Sequence, residues 1–145
     1  MFKDPPKNNL WFNNKIEVRK SSLHGMGVFA TEAIDAHESI ECVPVLLFHR
    51  DTMKNLRVQT KNYYQTHVLH DYVFGWEKGL IAIAWGYGSI YNHGEKDANV
   101  SYKMRLHVPS IEFITKRKIE AGEELLIHYR CGKAAVEFDP HGGKI

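Results

Sequence analysis

The chain has 145 residues, 43% of them hydrophobic and 25% charged, with a formal net charge of +2. That is enough apolar material for one domain with its own core, and too mild a charge to call for nucleic acid as a partner. There is no membrane-length apolar run and no signal-peptide core at the amino terminus, so a soluble intracellular protein is expected. The two cysteines, Cys42 and Cys131, make neither a CxxC pair nor a disulfide framework. Among nine histidines, His67 and His70 stand three apart without a cysteine or acidic partner motif, so no metal is expected.

Residues 1–14 contain a Pro-Pro pair and four Asn and read as an extended arm. Lys15–Lys20 alternates apolar and polar residues as a short, half-buried strand does. SSLHGMG breaks that pattern and VFA resumes it. Gly25 and Gly27 permit a tight turn that a neighbour or ligand can approach closely, but the dinucleotide fingerprint is missing its third glycine and its helix. Ala33–Glu38 reads as a polar turn. Ser39–Phe48 is an apolar strand in which Pro44 suggests an edge or a bulge.

Asp51-Thr52 can cap a short helix toward Leu56 or Val58, and Gln59–Leu69 reads as an insertion. HDYVFGW and LIAIAW, joined by Glu77-Lys78-Gly79, form a hairpin pattern. GYGSIYNHGEKDAN (86–99) then brings Asn92, His93 and Asn99 into a loop beside a buried strand. Their amide and imidazole groups suit a polar ligand, although an Asn-His pair alone fits a capped turn equally. VSYKMRLHV (100–108), SIEFITKRKI (110–119) and ELLIHY (124–129) read as three more strands. The KMR and TKRK runs give little support for nucleic acid, since no stacking aromatics accompany them, and Lys116-Arg117-Lys118 is read as a solvated strand end. From Arg130 onward the chain is loop-rich. Many short strands separated by turns predict a mostly β domain.

Three segments stand in a fixed order: HGMGVFA, YNHGEKDAN and AGEELLIHY. Together they resemble the SET domain of protein lysine methyltransferases, whose marks are a GxG turn, an NHS-x-x-x-N type segment and a G-E-E-L-x-x-x-Y segment. The resemblance runs over residues 15–130, leaving the arm 1–14 and a short tail 131–145, and is most similar to small stand-alone SET proteins of viruses and bacteria. It implies a β-clip of several small twisted sheets with short helices and a C-terminal pseudoknot. It also implies S-adenosylmethionine in one surface pocket and a protein or peptide lysine entering from the opposite face through a narrow channel.

By position in the motifs, His24, Gly25, Met26 and Gly27 would line the methionine part of the cofactor, with Asn92 and His93 beside it. Tyr129 would be the catalytic tyrosine, Tyr72 and Ile127 would line the lysine channel, and Phe138 would cover the adenine. The chain departs from the pattern at Gly94 (usually Ser), Ala98 (usually Pro) and His128 (usually Asp). It also lacks the three-cysteine zinc flank, so the tail, or a second subunit of a homodimer, would have to close the cofactor pocket.

The implied chemistry needs a neutral amine, yet free lysine has a pKa near 10.4. Desolvation by aromatic walls and repulsion from a sulfonium both push that pKa down. Alignment then carries much of the rate, with Tyr129 orienting the methyl and the amine more than removing a proton. In the family, a tyrosine at the position of Ile127 goes with monomethylation, so isoleucine there implies higher methylation. The competing reading is a SET-shaped module that binds peptide or cofactor without turnover.

Overall fold

Strands dominate the computed structural model, which describes residues 11–52 and 72–129. They are β1 (Trp11–Phe12), β2 (Ile16–Lys20), β3 (Met26–Ala30), β4 (Ser39–His49), β5 (Val73–Gly75), β6 (Leu80–Ala84), β7 (Asn92–His93), β8 (Val100–Arg105), β9 (Ser110–Thr115) and β10 (Glu124–Ile127). A single 3-10 turn, Glu77–Gly79, closes the predicted β5–β6 hairpin, with Lys78 and Gly79 both at positive φ. Among the described residues three small sheets share strands: β2-β3-β10, β1-β4-β9-β8-β10-β7 and β4-β6-β5. The result is a curled β surface of the β-clip kind. No helix among the described residues is long and apolar enough to cross a membrane.

Pro44 marks neither an edge nor a bulge. The first half of β4, Ser39 to Pro44, pairs with β9, and the second half, Val45 to His49, pairs with β6. The strand therefore changes sheet at the one residue without an N–H to give to either ladder, while the Pro44 carbonyl still accepts the Trp85 N–H at 3.0 Å. The bulge lies earlier, between Ser39 and Glu41. Two other boundaries also shift. The arm ends in β1, paired with β4 at Glu41 and Cys42, and the strand predicted over 110–119 stops at Thr115. Beyond it, Ile119 makes an isolated bridge to Ile34. Residues 50–52 begin the predicted helix. The rest of that helix, the insertion Gln59–Leu69, His67, His70, Cys131 and Phe138 lie outside the described residues.

Val28, Ile34, Ile40, Ile81, Ile111, Phe113, Ile119 and Leu125 are fully buried in the core. Each such side chain contributes about 1.5–3 kcal/mol through burial. β10 runs through the middle. It is antiparallel to β3 through Glu124 and Leu125, and parallel to β7 through Leu126 and Ile127. Ile127 pairs with His93 on one side and Val100 on the other, so the chain between β7 and β8 wraps around β10. That clasp is the pseudoknot.

The clasp also explains two motif residues. The Asn99 side chain donates to the Glu124 carbonyl (2.9 Å) and accepts the Leu126 N–H (2.8 Å), while its own N–H reaches the Leu126 carbonyl. Asn99 is thus a structural staple and not a ligand group. Gly94 donates its N–H to the Ile127 carbonyl, and a Cβ on it would stand 2.8 Å from the Ala98 nitrogen. In this chain the loop is too tight there for the serine of the family pattern.

Candidate active site

The turn between β2 and β3 is held from beneath by a buried amide. Asn92 Nδ2 donates to the carbonyls of His24 (3.0 Å) and Met26 (3.2 Å) and to Glu124 Oε1 (2.8 Å). Glu124 Oε2 in turn accepts the Ser21 hydroxyl, whose oxygen receives the Leu23 N–H. Gly27 lies directly over this cluster, where a Cβ would come 2.1 Å from Glu124 Oε1. The second glycine of GxG therefore makes room for the Asn92–Glu124 pair. Gly25 serves conformation instead, with φ +47 and nothing within 4 Å of a built Cβ. His24, Gly25 and Met26 are exposed on the outer rim.

His93 follows Asn92 on β7 and faces out. Its Nδ1 accepts the Tyr129 N–H at 3.2 Å, so Nδ1 carries no proton and the neutral ring is protonated at Nε2, which lies 3.6 Å from Glu95 Oε2. The ring centroids of His128 and Tyr129 both lie 5.0 Å from that of His93. The Tyr129 hydroxyl points the other way and donates to the Tyr91 carbonyl at 3.2 Å.

Tyr91 and Tyr129 both line a small, partly open cleft, together with Tyr72, Phe74, Ser89 and Ile127 among others. Half of its lining residues are aromatic. Phe74 sits edge-on to Tyr102 at 5.2 Å, and Tyr91 stacks on Phe113 at 4.7 Å. Ser89 Oγ accepts the Ala84 N–H and donates to the Tyr72 carbonyl, tying the loop after β6 to the start of β5. Behind the cleft, burial pushes the Glu41 carboxyl up to about 7, against partial relief from Tyr91 and the Tyr87 N–H. The same burial, with Glu41 nearby, holds the Tyr91 phenol well above its usual value.

The structure brings the named residues together in two groups that meet at Tyr129. His24, Gly25, Met26, Gly27, Asn92 and His93 gather on the turn side, and Tyr72 and Ile127 gather at the cleft. Sequence reasoning missed Ser21, Glu41, Phe74, Ser89, Tyr91 and Glu124. A signal existed for Glu41, an acid inside the apolar run SIECVPVLLF, since carboxylates are rarely buried without a partner. Among the described residues no group of His, Cys, Asp or Glu is arranged to hold a metal.

Comparisons with known proteins bear on the family and the fold. The sequence profile of the SET domain matches residues 25–130. A Schizosaccharomyces pombe protein, the histone-lysine N-methyltransferase specific for H3 lysine-37, is 35% identical over 114 residues, covering 79% of this chain and 72% of that one. A crystal structure of a candidate histone methyltransferase from Plasmodium falciparum superposes with a TM-score of 0.63 at 25% identity, over 84% of this chain and 98% of the other. The structure of ctPRC2 bound to S-adenosylmethionine, in an autoinhibited conformation, superposes with a TM-score of 0.66 at 22% identity, over 90% of this chain and 19% of that one. With three motifs in order and a clasped β10, the chain belongs to the SET domain family of lysine methyltransferases.

Proposed function

We propose that the protein transfers methyl groups from S-adenosylmethionine to the ε-amine of a lysine in a protein, with Tyr129 as the catalytic tyrosine. One observation carries this reading: the Tyr129 ring stands against His93 on the turn side while its hydroxyl is held by the carbonyl of Tyr91, and both tyrosines line the cleft. A residue so placed touches both reactants. The outer rim of the turn fits a cofactor, because the His24 and Met26 carbonyls are turned inward to Asn92 and Gly25 faces open space. When bound there, S-adenosylmethionine supplies an electrophilic methyl on a sulfonium.

This chain's residues do the remaining work. Phe74, Tyr91, Ile127 and Tyr72 strip water from the lysine side chain, which lowers its pKa toward the neutral form. The Tyr129 hydroxyl, fixed by the Tyr91 carbonyl, orients the amine. His93 fixes the Tyr129 main chain only while its Nδ1 is unprotonated. The S. pombe relative makes histone H3 the first acceptor to try. A second copy of the chain, or residues beyond 129, would cover the cofactor, and sedimentation with and without S-adenosylmethionine separates the two. The decisive experiment is Tyr129→Phe. It should keep cofactor affinity and lose most methyl transfer, measured with labelled cofactor, and an unchanged rate would refute the assignment.

A further inference from the structure

An acid buried behind the cleft has no part in the roles above. Glu41, on β4, is fully buried, and its neighbours across the ladders are Phe12 on β1 and Phe113 on β9. Its Oε2 accepts the Tyr87 N–H at 3.2 Å and would stand 3.0 Å from a Cβ on Gly86, a residue held at φ +63. Its other oxygen, Oε1, is buried, as is the hydroxyl of Tyr91, the next ionisable side chain to act on it. The two groups act on each other, yet neither Oε1 nor the phenol oxygen completes a well-formed hydrogen bond. Glu41 is therefore bonded to the start of the 86–91 loop at Tyr87 and acts through its charge on Tyr91 at the finish. That loop is a wall of the cleft, and its Tyr91 carbonyl receives the Tyr129 hydroxyl.

We propose that Glu41 is a positioning residue for methyl transfer, anchoring the 86–91 wall from behind so that the Tyr91 carbonyl holds the Tyr129 hydroxyl in place. The inference rests on Tyr129 being the catalytic tyrosine. An apolar side chain would fill the same space without the penalty of a buried carboxyl, so filling space does not account for an acid here. What a carboxyl adds is an oxygen bonded to the loop at Tyr87 and a charge that acts on Tyr91. As a carboxylate it can only accept from the Tyr91 hydroxyl, and as an acid it must present a proton to the same oxygen. With the carboxyl pushed up to about 7, both forms are populated near neutral pH. The ionisable groups around it are Tyr91 and Tyr87 from the loop and Cys42 beside it on β4, while the Arg105–Glu112 pair acts on Cys42.

The test uses the full chain, labelled S-adenosylmethionine, and histone H3 alongside total lysate protein as methyl acceptors, from pH 6 to 9. Tyr91→Phe keeps the ring on Phe113 and removes only the hydroxyl. It should lower kcat by about tenfold to a hundredfold, the usual consequence of a displaced catalytic group, with KM for S-adenosylmethionine unchanged. Glu41→Ala should lose as much, and Glu41→Gln should recover most of that loss, because its amide can still accept from Tyr87 and donate to Tyr91. The wild-type kcat should carry an ionisation near neutral pH that Glu41→Gln lacks. Should Glu41→Ala fail to fold, the Phe and Gln variants decide alone. An inactive Tyr129→Phe beside a Tyr91→Phe at wild-type kcat, with identical pH profiles for wild type and Glu41→Gln, overturns this inference only. Wild-type rates in Tyr129→Phe, or no transfer to any acceptor by the wild type, sink the site reading and this one with it.

Discussion

Replacing Glu41 by glutamine should make the protein more stable at alkaline pH, by an amount that the structure sets. Burial raises this carboxyl from an ordinary 4.5 to about 7. The folded state therefore holds the proton more tightly than the unfolded state does. Stability from this group is fully present below the unfolded value and is lost as pH rises through the folded one. Between pH 5 and pH 8 the wild type should lose about 2–3 kcal/mol from this residue alone, at 1.36 kcal/mol for each pKa unit of difference. Glutamine, neutral throughout and able to meet both Tyr87 and Tyr91, loses none of it. Urea unfolding of both proteins at pH 5 and pH 8 measures the effect as the change in their stability difference, provided the m-values agree. A difference that is the same at both pH values would refute the reasoning. It would mean that Glu41 titrates at its ordinary pKa, or that water reaches it.

Three further perturbations follow from the site. Asn92→Ala removes the donor to the His24 and Met26 carbonyls and leaves Glu124 Oε1 unpaired, so it should weaken S-adenosylmethionine binding by about 1–3 kcal/mol in calorimetry. Gly94→Ser restores the usual residue of the family pattern yet puts a Cβ 2.8 Å from the Ala98 nitrogen, so thermal unfolding should show a loss of about 1–3 kcal/mol. Ile127→Tyr places a hydroxyl in the cleft where a methylated amine would rotate. Mass spectrometry over long incubations should show the wild type passing monomethyl-lysine and the variant stopping there.

Much of the fold was legible because the strands carry their own signal. The alternation in KIEVRK and VSYKMRLHV located β2 and β8, and the EKG break located the β5–β6 hairpin. Partners were not legible in the same way, since nothing local in AGEELLIHY says that β3, β7 and β8 will all meet it. That is why Asn99 looked like a ligand group: an amide in a loop reads the same whether it faces a cofactor or a strand 25 residues away. Pro44 misled for a related reason, because local rules foresee a strand's edge but not its passage between sheets. Gly27 was read as permission for a tight turn, whereas its place is set by two side chains, Asn92 and Glu124, distant in sequence. The described motif residues lie near one another because each motif carries its own local geometry into the same corner of the fold.

The clasp around β10 also bears on how the protein is made. Phe29 on β3 waits for its partner Glu124 on β10, and Val100 waits for Ile127. At about 5–20 residues per second of synthesis, the outer edge of β3 stays open for roughly 5–20 s on the ribosome, with an apolar strand exposed to other nascent chains. A 93–99 loop that closed early would leave β10 a hole to thread, so productive folding favours a loop still open when β10 arrives. Biogenesis should then be limited by this last docking step, and yield should respond to chaperones that shield the β3 edge more than to changes in core packing.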